Sequence, residues 1–155
     1  MLQLVWFKRD LRAVDHESLS RAAEHGPVLP LYIVEPELWR QPDMSARHWG
    51  FWREALQSLR DDLTRCGQPL VIRQGEAVTV LRALLREHQV AALWSHQETG
   101  NAWTYQRDRA VGELLREHGV AWHQARQHGI VRGTLDRNRW SRQWEALMTA
   151  ARYPA

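Results

Sequence analysis

A cluster of charged residues follows a short apolar run at the N-terminus. The segment VWFKRDLR places Lys8, Arg9, Asp10 and Arg12 directly after that run. Arginines beside an aspartate can hold loops together through charge-assisted hydrogen bonds, or they can present guanidinium groups to an anionic ligand. For Asp10 we favour the structural role, because a buried charge has to be paired. The segment therefore predicts a loop clamp or an anion-binding site.

Other common chemical motifs are missing from the sequence. It has no GxGxxG or GxxxxGK[ST] loop to hold phosphates, and HGIVRG at residues 128–133 is a poor substitute. It has no GxSxG segment either. Eight histidines are present, but no HExxH motif or other metal-ligand spacing is found, and His25, His88 and His118 fall at predicted helix ends. We predict no catalytic residue and no metal site.

Short apolar runs alternate with segments of helical period, which is the pattern of βαβ units around a parallel sheet. The predicted strands are Leu2–Phe7, Val28–Val34, Leu70–Arg73, Val90–Ser95 and Val120–Gln124. The predicted helices are His16–His25, 46–66, Glu76–His88 and Trp103–His118. We expect a three-layer, Rossmann-like, doubly wound α/β fold, with five parallel strands in the order 3-2-1-4-5 and helices on both faces.

Cap residues and an apolar stripe refine this prediction. Asp15 is the expected N-cap of the first helix, Gly26 its end, and Ser45 the N-cap of the second. Residues 35–44 are expected to form a loop. Along the second helix the inward-facing positions, at three- and four-residue spacings, are Trp49, Trp52, Leu56, Leu59 and Leu63.

Ligands of doubly wound sheets bind beyond the carboxyl ends of the strands, where the strand order reverses. The candidate site residues are therefore in the loops that follow the strands: Lys8–Arg12, Glu35–Asp43, Gln74–Glu76, His96–Trp103 and Arg126–Gly133.

Composition narrows the class of protein. The 155 residues fit one compact domain, and the single cysteine, Cys66, excludes an internal disulfide and a thiolate zinc site. No segment has the length and apolarity of a membrane span, so we expect a cytoplasmic protein without membrane contact. The 21 basic residues are interleaved with 18 acidic ones, which does not favour DNA binding by this domain alone.

Four blocks of the sequence together resemble the photolyase/cryptochrome family. VWFKRDLR followed by DHESL looks like the family's N-terminal signature, and VLPLYIVEPELW looks like its second strand and the following loop. PDMSARHWGFWREALQSLRDDL and GQPLVIRQGEAVTVLRAL resemble the next helix and the third strand with its helix. The blocks keep the family's order over residues 2–125, and ETGNAWTYQRD is similar to a bacterial cryptochrome-like branch.

The resemblance implies a light-harvesting role. In that family this α/β domain holds an antenna chromophore (methenyltetrahydrofolate, a deazaflavin or FMN), which passes excitation to FAD in a separate helical domain. The residues implied to bind the chromophore are Arg9, Glu35, Trp39, Arg47, Phe51, Glu98 and Trp103. Their aromatic rings would form a wall, and Arg47 and Glu98 would supply polar contacts.

The resemblance also implies what this chain lacks. Residues 1–132 would be the antenna domain, and residues 133–155 the start of a connector to an absent FAD-binding helical domain. The parent family splits pyrimidine dimers in DNA, but we expect this chain to be inactive alone and to meet DNA only through the missing domain. Two other readings stay open, a stand-alone nucleotide-binding domain and an interaction domain, both of related α/β topology.

Overall fold

The computed structural model describes residues 1–127 and 136–154, apart from the side chain of Arg137. In chain order the elements are β1 (Leu2–Phe7), α1 (Glu17–His25), β2 (Val28–Val34), α2 (Pro36–Trp39), α3 (Ala46–Arg65), β3 (Val71–Gln74), α4 (Ala77–Glu87), β4 (Val90–His96), α5 (Ala102–Glu117), β5 (Ala121–Ala125) and α6 (Arg137–Met148). HGIVRG and the proposed domain boundary after residue 132 lie outside the described residues.

The predicted fold class and strand order are confirmed. The five strands form one sheet in the order β3-β2-β1-β4-β5, and each neighbouring pair is parallel. Parallel strands need crossover connections, which the intervening helices supply. The chain moves outward from β1 to β3 and then returns to the other side of β1 at β4. The strand order therefore reverses between β1 and β4, and the loops after these two strands flank the expected ligand crevice.

Apolar side chains cover both faces of the sheet. On one face, Leu81 of α4 and Leu114 of α5 pack against Trp6 of β1. On the other, Leu59 of α3 packs against Phe7 of β1. Burying each of these leucines contributes about 1.5–3 kcal/mol to the free energy of folding. The two cores hold the ends of β1 and β4 in fixed positions.

The start of α1 differs from the prediction. His16, not Asp15, is the N-cap, and its Nδ1 accepts a hydrogen bond from the Leu19 backbone N–H at 3.0 Å. Asp15 has a left-handed backbone with φ 52°, and its carboxylate accepts the Tyr153 N–H at 3.1 Å. The prediction was wrong because Asp10 holds the buried His16 ring in the capping position, while Asp15 turns toward the C-terminal residues.

Two predictions for residues 35–49 also needed correction. The expected loop at residues 35–44 contains the single-turn helix α2, which begins with Pro36 at a position where a missing N–H costs nothing. The prediction that Trp49 points into the core was wrong, because its side chain is 37% exposed. Ser45 does cap α3, as its hydroxyl accepts the His48 N–H.

Candidate functional site

Six charged side chains meet at the carboxyl edge of the sheet. They come from the loops after β1, β2 and β4 and from α5, and we call them the charge cluster: Lys8, Arg9, Glu35, Glu98, Arg107 and Asp108. Three cations face three anions, so their formal charges balance. Five of the six are buried, and Arg9 keeps 34% of its side chain exposed. The cluster lies across the β1/β4 crevice where the fold predicts a ligand.

Arg107 is the centre of this cluster. Its Nη1 donates to Glu35 Oε2 at 2.8 Å, and its Nη2 donates to Asp108 Oδ1 at 2.9 Å and to Glu98 Oε2. The flat, five-donor guanidinium can serve several carboxylates at once, which a lysine ammonium does less well. Because Glu35 follows β2 and Glu98 follows β4, one side chain of α5 links both loops.

Two further ion pairs join β1 to the same network. Arg9 Nε donates to Glu98 Oε1 at 2.7 Å, and Lys8 Nζ lies 3.3 Å from Asp108 Oδ2. Both pairs join residues that are distant in sequence, so they fix the loop after β1 against β4 and α5. The pattern fits the loop-clamp alternative that the sequence left open for this segment.

Indole rings flank the buried cations of the cluster. The Arg107 guanidinium carbon lies 4.8 Å from the ring centre of Trp6 and 5.7 Å from that of Trp103. Lys8 Nζ lies 5.0 Å from the ring centre of Trp6 and 5.8 Å from that of Trp122. A cation over an aromatic face is stabilised by the ring quadrupole, most when water is excluded.

The pKa values of the two buried cations shift in opposite directions. Burial lowers the pKa of Lys8, and the attraction of Asp108 only partly opposes that effect. Burial alone would also lower the pKa of Arg107, but Glu35, Glu98 and Asp108 outweigh it and raise the pKa above its ordinary value. Arg107 therefore stays charged, and its charge is shared among three carboxylates.

Glu35 is the least satisfied member of the charge cluster. Burial raises the pKa of its carboxyl to about 7, although Arg107 acts against that rise. Its Oε1 is buried and has no hydrogen-bond donor among the described residues, and the indole Nε1 of nearby Trp39 is likewise buried without an acceptor there. A buried polar atom without a partner costs free energy, so such atoms mark places where a ligand or water can bind.

The raised pKa predicts a pH dependence of stability. The carboxyl of Glu35 moves from an ordinary value of 4.5 to about 7 on folding. The folded protein thus binds the proton more tightly, and the associated stabilisation is complete below pH 4.5 and lost as the pH rises through 7. Relative to Glu35→Gln, we expect the wild-type free energy of unfolding to fall by on the order of 3 kcal/mol between pH 4.5 and pH 8. Urea unfolding of both proteins at several pH values measures this; a constant difference would contradict it.

The charge cluster leaves little room for a ligand at the centre of the crevice. The space enclosed between β1, β2, Leu38, Trp52 and Arg107 is about 10 Å³, which is room for about one water molecule. Larger cavities open on either side. We call one of them, of about 430 Å³, the Glu35 cavity; its lining is Glu35, Glu37, Glu76, Val78, Trp103, Gln106, Arg107 and Ala110. A second, of about 350 Å³, lies toward α6 and includes Arg12, His96 and Arg126.

A second buried network stands next to the charge cluster. Asp10 Oδ2 accepts hydrogen bonds from His16 Nε2 at 2.8 Å and from His96 Nδ1 at 2.6 Å, and its Oδ1 accepts the Lys8 backbone N–H at 2.8 Å. We call Asp10, His16 and His96 the Asp10 hub. Burial would raise the pKa of Asp10, but the two histidine hydrogen bonds outweigh it and hold the pKa well below its usual range. The hub joins the end of β1 to α1 and to β4.

The Asp10 hub also has the residue types of a metal site. The candidate ligand atoms of Asp10, His16 and His96 lie within 4.8 Å of one another, a pairing that the sequence analysis did not find. Each of these atoms already makes a hydrogen bond, and His16 uses its remaining nitrogen to cap α1. A metal ion would have to displace both histidine protons, so the arrangement fits a structural hydrogen-bond hub better. The expectation of no metal stays a prediction.

The structure brings four of the seven predicted site residues together. Arg9, Glu35 and Glu98 belong to the charge cluster, and Trp103 lies beside Arg107 in the Glu35 cavity. The other three lie near or on α3: Trp39, Arg47 and Phe51.

The three remaining residues differ in their surroundings. Trp39 packs edge-on against Trp49, with ring centres 4.9 Å apart, and against Trp52, 5.7 Å away. Arg47 is exposed. Phe51 is 70% exposed and contacts Trp52. None of the three lines the Glu35 cavity as the described residues define it.

Sequence reasoning missed the two residues that organise the site. Arg107 appeared only within the segment ETGNAWTYQRD, and His96 only as the start of a loop. A signal for Arg107 does exist, because it and Asp108 lie on the buried stripe of α5 with Val111 and Leu114. Charged residues on an otherwise apolar stripe have to find buried partners.

Comparison with known proteins identifies the family. A model of the DNA photolyase family matches residues 3–139, which is most of the chain. The chain belongs to the DNA photolyase family. The match confirms the family that the four sequence blocks resemble, and it identifies this α/β fold as a photolyase-type N-terminal domain.

Individual photolyases and cryptochromes agree with this assignment. A deoxyribodipyrimidine photo-lyase of Agrobacterium fabrum is 35% identical over 121 residues, covering 76% of this chain and 24% of the relative. Cryptochrome DASH of Arabidopsis thaliana is 31% identical over 103 residues, covering 62% of this chain and 18% of the relative. The chain thus spans about a quarter or less of the length of these photolyase-family relatives.

A solved photolyase shows the same fold. The crystal structure of a bacterial class III photolyase from Agrobacterium tumefaciens matches with a TM-score of 0.74 and 28% identity, over 86% of this chain and 27% of that one. The match confirms the α/β architecture of a photolyase N-terminal domain. Within the part of the chain that the structure describes, no helix is both long and apolar enough to cross a membrane.

Proposed function

We propose that this chain is the light-harvesting-chromophore-binding domain of a photolyase or cryptochrome, and that the chromophore lies in the Glu35 cavity. The observation that carries the proposal is the buried Glu35 Oε1, which has no donor among the described residues and belongs to a side chain that lines this cavity. Its volume of about 430 Å³ is within the usual range of small-molecule sites. Family membership supports a methenyltetrahydrofolate, a deazaflavin or FMN as the occupant.

The lining residues have distinct roles in this proposal. Trp103 gives a flat apolar wall on which a conjugated ring can stack. Arg107 is held by three carboxylates, so it fixes the orientation of Glu35 without moving when the ligand binds. Arg9 and Glu98 complete the clamp around that arginine. Contacts of Trp39, Arg47 and Phe51 with the chromophore stay a prediction.

The chain's part in the whole protein is also a proposal. A chromophore-binding domain absorbs light and passes the excitation on, so we assign no catalytic residue to it. The relatives are several times longer than this chain, which supports an FAD-binding helical domain as its partner in the full-length protein. Light-dependent DNA repair or blue-light signalling, and any contact with DNA, would depend on that domain. A cytoplasmic location goes with this role.

Nucleotide binding is the alternative from another functional class. The Glu35 cavity is lined by three carboxylates and by one guanidinium that is already paired, which disfavours a triphosphate. Calorimetry with ATP should therefore give no heat of binding. Micromolar ATP affinity would favour a stand-alone nucleotide-binding domain instead.

A pair of variants on α5 tests the location of the pocket. Trp103→Ala removes the proposed stacking wall, and we expect it to weaken retention of the bound chromophore about tenfold, the usual order for one lost stacking contact. Tyr105→Ala removes an aromatic ring that is 59% exposed on the same helix and outside the cavity lining, and should leave retention unchanged. The chromophore absorbance that coelutes with protein on gel filtration measures both. Equal losses in the two variants would place the chromophore elsewhere.

A further inference from the structure

Three arginines line a cavity that the proposed function does not use. We call it the arginine cavity; it encloses about 350 Å³ between the end of β4, the segments after β1 and β5, and the C-terminal end of α6. Its arginines are Arg12, Arg126 and Arg152, and none of them forms an ion pair with a described carboxylate. As the described residues define the two cavities, this one shares no lining residue with the Glu35 cavity. Cations gathered around one cavity favour an anionic ligand.

Arg12 is held in position before any ligand binds. Its side chain is half-buried, and its Nε and Nη2 donate to the backbone oxygen of Asp15 at 3.1 and 2.9 Å. A carbonyl oxygen orients the guanidinium but does not neutralise its charge. Within the part of the chain that the structure describes, Nη1 makes no hydrogen bond, so it can donate to a ligand. In the charge cluster, by contrast, Arg9 and Arg107 both donate to carboxylates.

A buried imidazole borders the same cavity. His96 is 3% exposed, and its Nδ1 donates to Asp10 at 2.6 Å, which fixes the orientation of the ring. The other ring nitrogen, Nε2, makes no hydrogen bond to a described residue. It accepts from a P–O–H group when the ring is neutral, and it donates to a phosphate oxygen when the ring is protonated. A phosphate carries both kinds of oxygen near neutral pH, so it can pair with this nitrogen in either state.

Two carboxylates of the lining are already engaged. Arg21, which is outside the lining, has its Nη2 2.8 Å from Glu17 Oε1, and Asp15 accepts the Tyr153 backbone N–H at 3.1 Å. These carboxylates limit the charge that the cavity can hold, because the arginines exceed them by a small margin. That balance suits the two negative charges of a phosphate monoester better than the larger charge of a triphosphate.

A further part of the lining is apolar and anchored to α1. Asp15 N–H donates to the Tyr153 backbone oxygen at 3.2 Å, and Ser20 Oγ donates to that of Pro154 at 2.9 Å. These bonds hold the segment after α6 against the start of α1. The apolar and aromatic lining residues are Leu147, Met148, Ala150, Ala151 and Tyr153. An apolar wall beside three cations fits an ester with an apolar organic group, and the volume is in the usual range of small-molecule sites.

We propose that the arginine cavity binds a phosphate monoester whose organic group is apolar. The three arginines and His96 hold the phosphate, and the residues at the end of α6 contact the organic group. The site is separate from the chromophore cavity, so its test does not depend on the proposed function.

Calorimetric titration with phenyl phosphate tests this site. In about 0.1 M NaCl, where attraction between exposed charges is screened, we expect saturable binding of one phenyl phosphate per chain. Phenol lacks the anion and should not bind. Inorganic phosphate lacks the apolar contact and should bind about tenfold more weakly. The absence of saturable binding of phenyl phosphate would overturn the proposal, and equal affinity for inorganic phosphate would overturn the assignment to an ester.

Two variants locate the bound phosphate. Arg126 is exposed, and its side chain has no partner among the described residues, so Arg126→Gln should fold like the wild type. This variant should bind phenyl phosphate about tenfold more weakly, because it loses a charge-assisted hydrogen bond. Arg109→Gln removes the same charge from an exposed position of α5 outside the lining and should keep the wild-type affinity. Equal weakening in both variants would indicate unspecific attraction and overturn the proposed site.

Chromophore retention separates this proposal from the proposed function. Arg126→Gln should retain a chromophore as the wild type does, because Arg126 does not line the Glu35 cavity. A chain that retains a chromophore but does not bind phenyl phosphate would refute only the phosphate site. A chain that binds phenyl phosphate but retains no chromophore would refute only the antenna function.

Discussion

Replacing Asp10 with asparagine should destabilise the protein by about 3–5 kcal/mol, because the change removes the anion from a buried, hydrogen-bonded hub. Asp10 accepts three hydrogen bonds, two from His16 and His96 and one from the Lys8 backbone. Either orientation of an asparagine amide turns its NH2 group toward at least one of these donors. The midpoint of thermal unfolding should fall by about 10 °C, which circular dichroism can follow.

An exposed aspartate provides the control for this experiment. Asp61→Asn on α3 removes the same charge from the surface and should change the free energy of unfolding by no more than about 0.5 kcal/mol. If Asp10→Asn unfolds at the wild-type temperature, the hub does not fix the loop after β1. A wild-type midpoint that rises several degrees on adding zinc, and does not rise in Asp10→Asn, would instead favour a metal site there.

Replacing Arg107 with leucine should lower the free energy of unfolding nearly as much as Asp10→Asn does. Three buried carboxylates share this guanidinium, and removing it leaves Glu35 without its ion-pair partner. Breaking a buried ion pair by removing one partner costs about 3–5 kcal/mol. Glu98 and Asp108 keep Arg9 and Lys8 as partners, so the unpaired charge falls mainly on Glu35.

The decrease in the free energy of unfolding caused by Arg107→Leu should depend on pH. Arg107 lowers the pKa of Glu35, so its removal raises that pKa above 7. At pH 5 the carboxyl is protonated in both proteins and the missing cation matters less, whereas at pH 8 the difference is largest. Urea unfolding at both pH values measures this, with Arg109→Leu as the exposed control on α5. A loss that is greater at pH 5 would contradict the proposed role of Arg107.

The elements with strong local patterns could be predicted from sequence. The bounds of β1 and β2 agree with the apolar runs, and Ser45 caps α3 as its residue type predicts. α2 was missed because a single turn is too short to show helical periodicity. Trp49 was placed in the core because it lies on the apolar stripe, but it lies in the first turn of α3 and is 37% exposed.

The two networks of the site could not be predicted in the same way. His96 follows Asp10 by 86 positions, and Arg107 follows Glu35 by 72. No local period relates such residues; only the strand order brings the ends of β1, β2 and β4 to one edge. The ion pairs of Lys8 and Arg9 fit the loop-clamp alternative for this segment, but the identity of their partners required the fold.

The most direct test of the chromophore-binding role is the absorption spectrum of the purified chain between about 300 and 500 nm. The chain is first incubated with methenyltetrahydrofolate, a deazaflavin or FMN and then passed through gel filtration. A pocket of this kind should retain its chromophore during that step. We predict a band that coelutes with the protein after incubation with at least one of the three compounds, and that is reduced in Trp103→Ala. The absence of a coeluting band with all three compounds would contradict the assignment of this chain as a chromophore-binding domain.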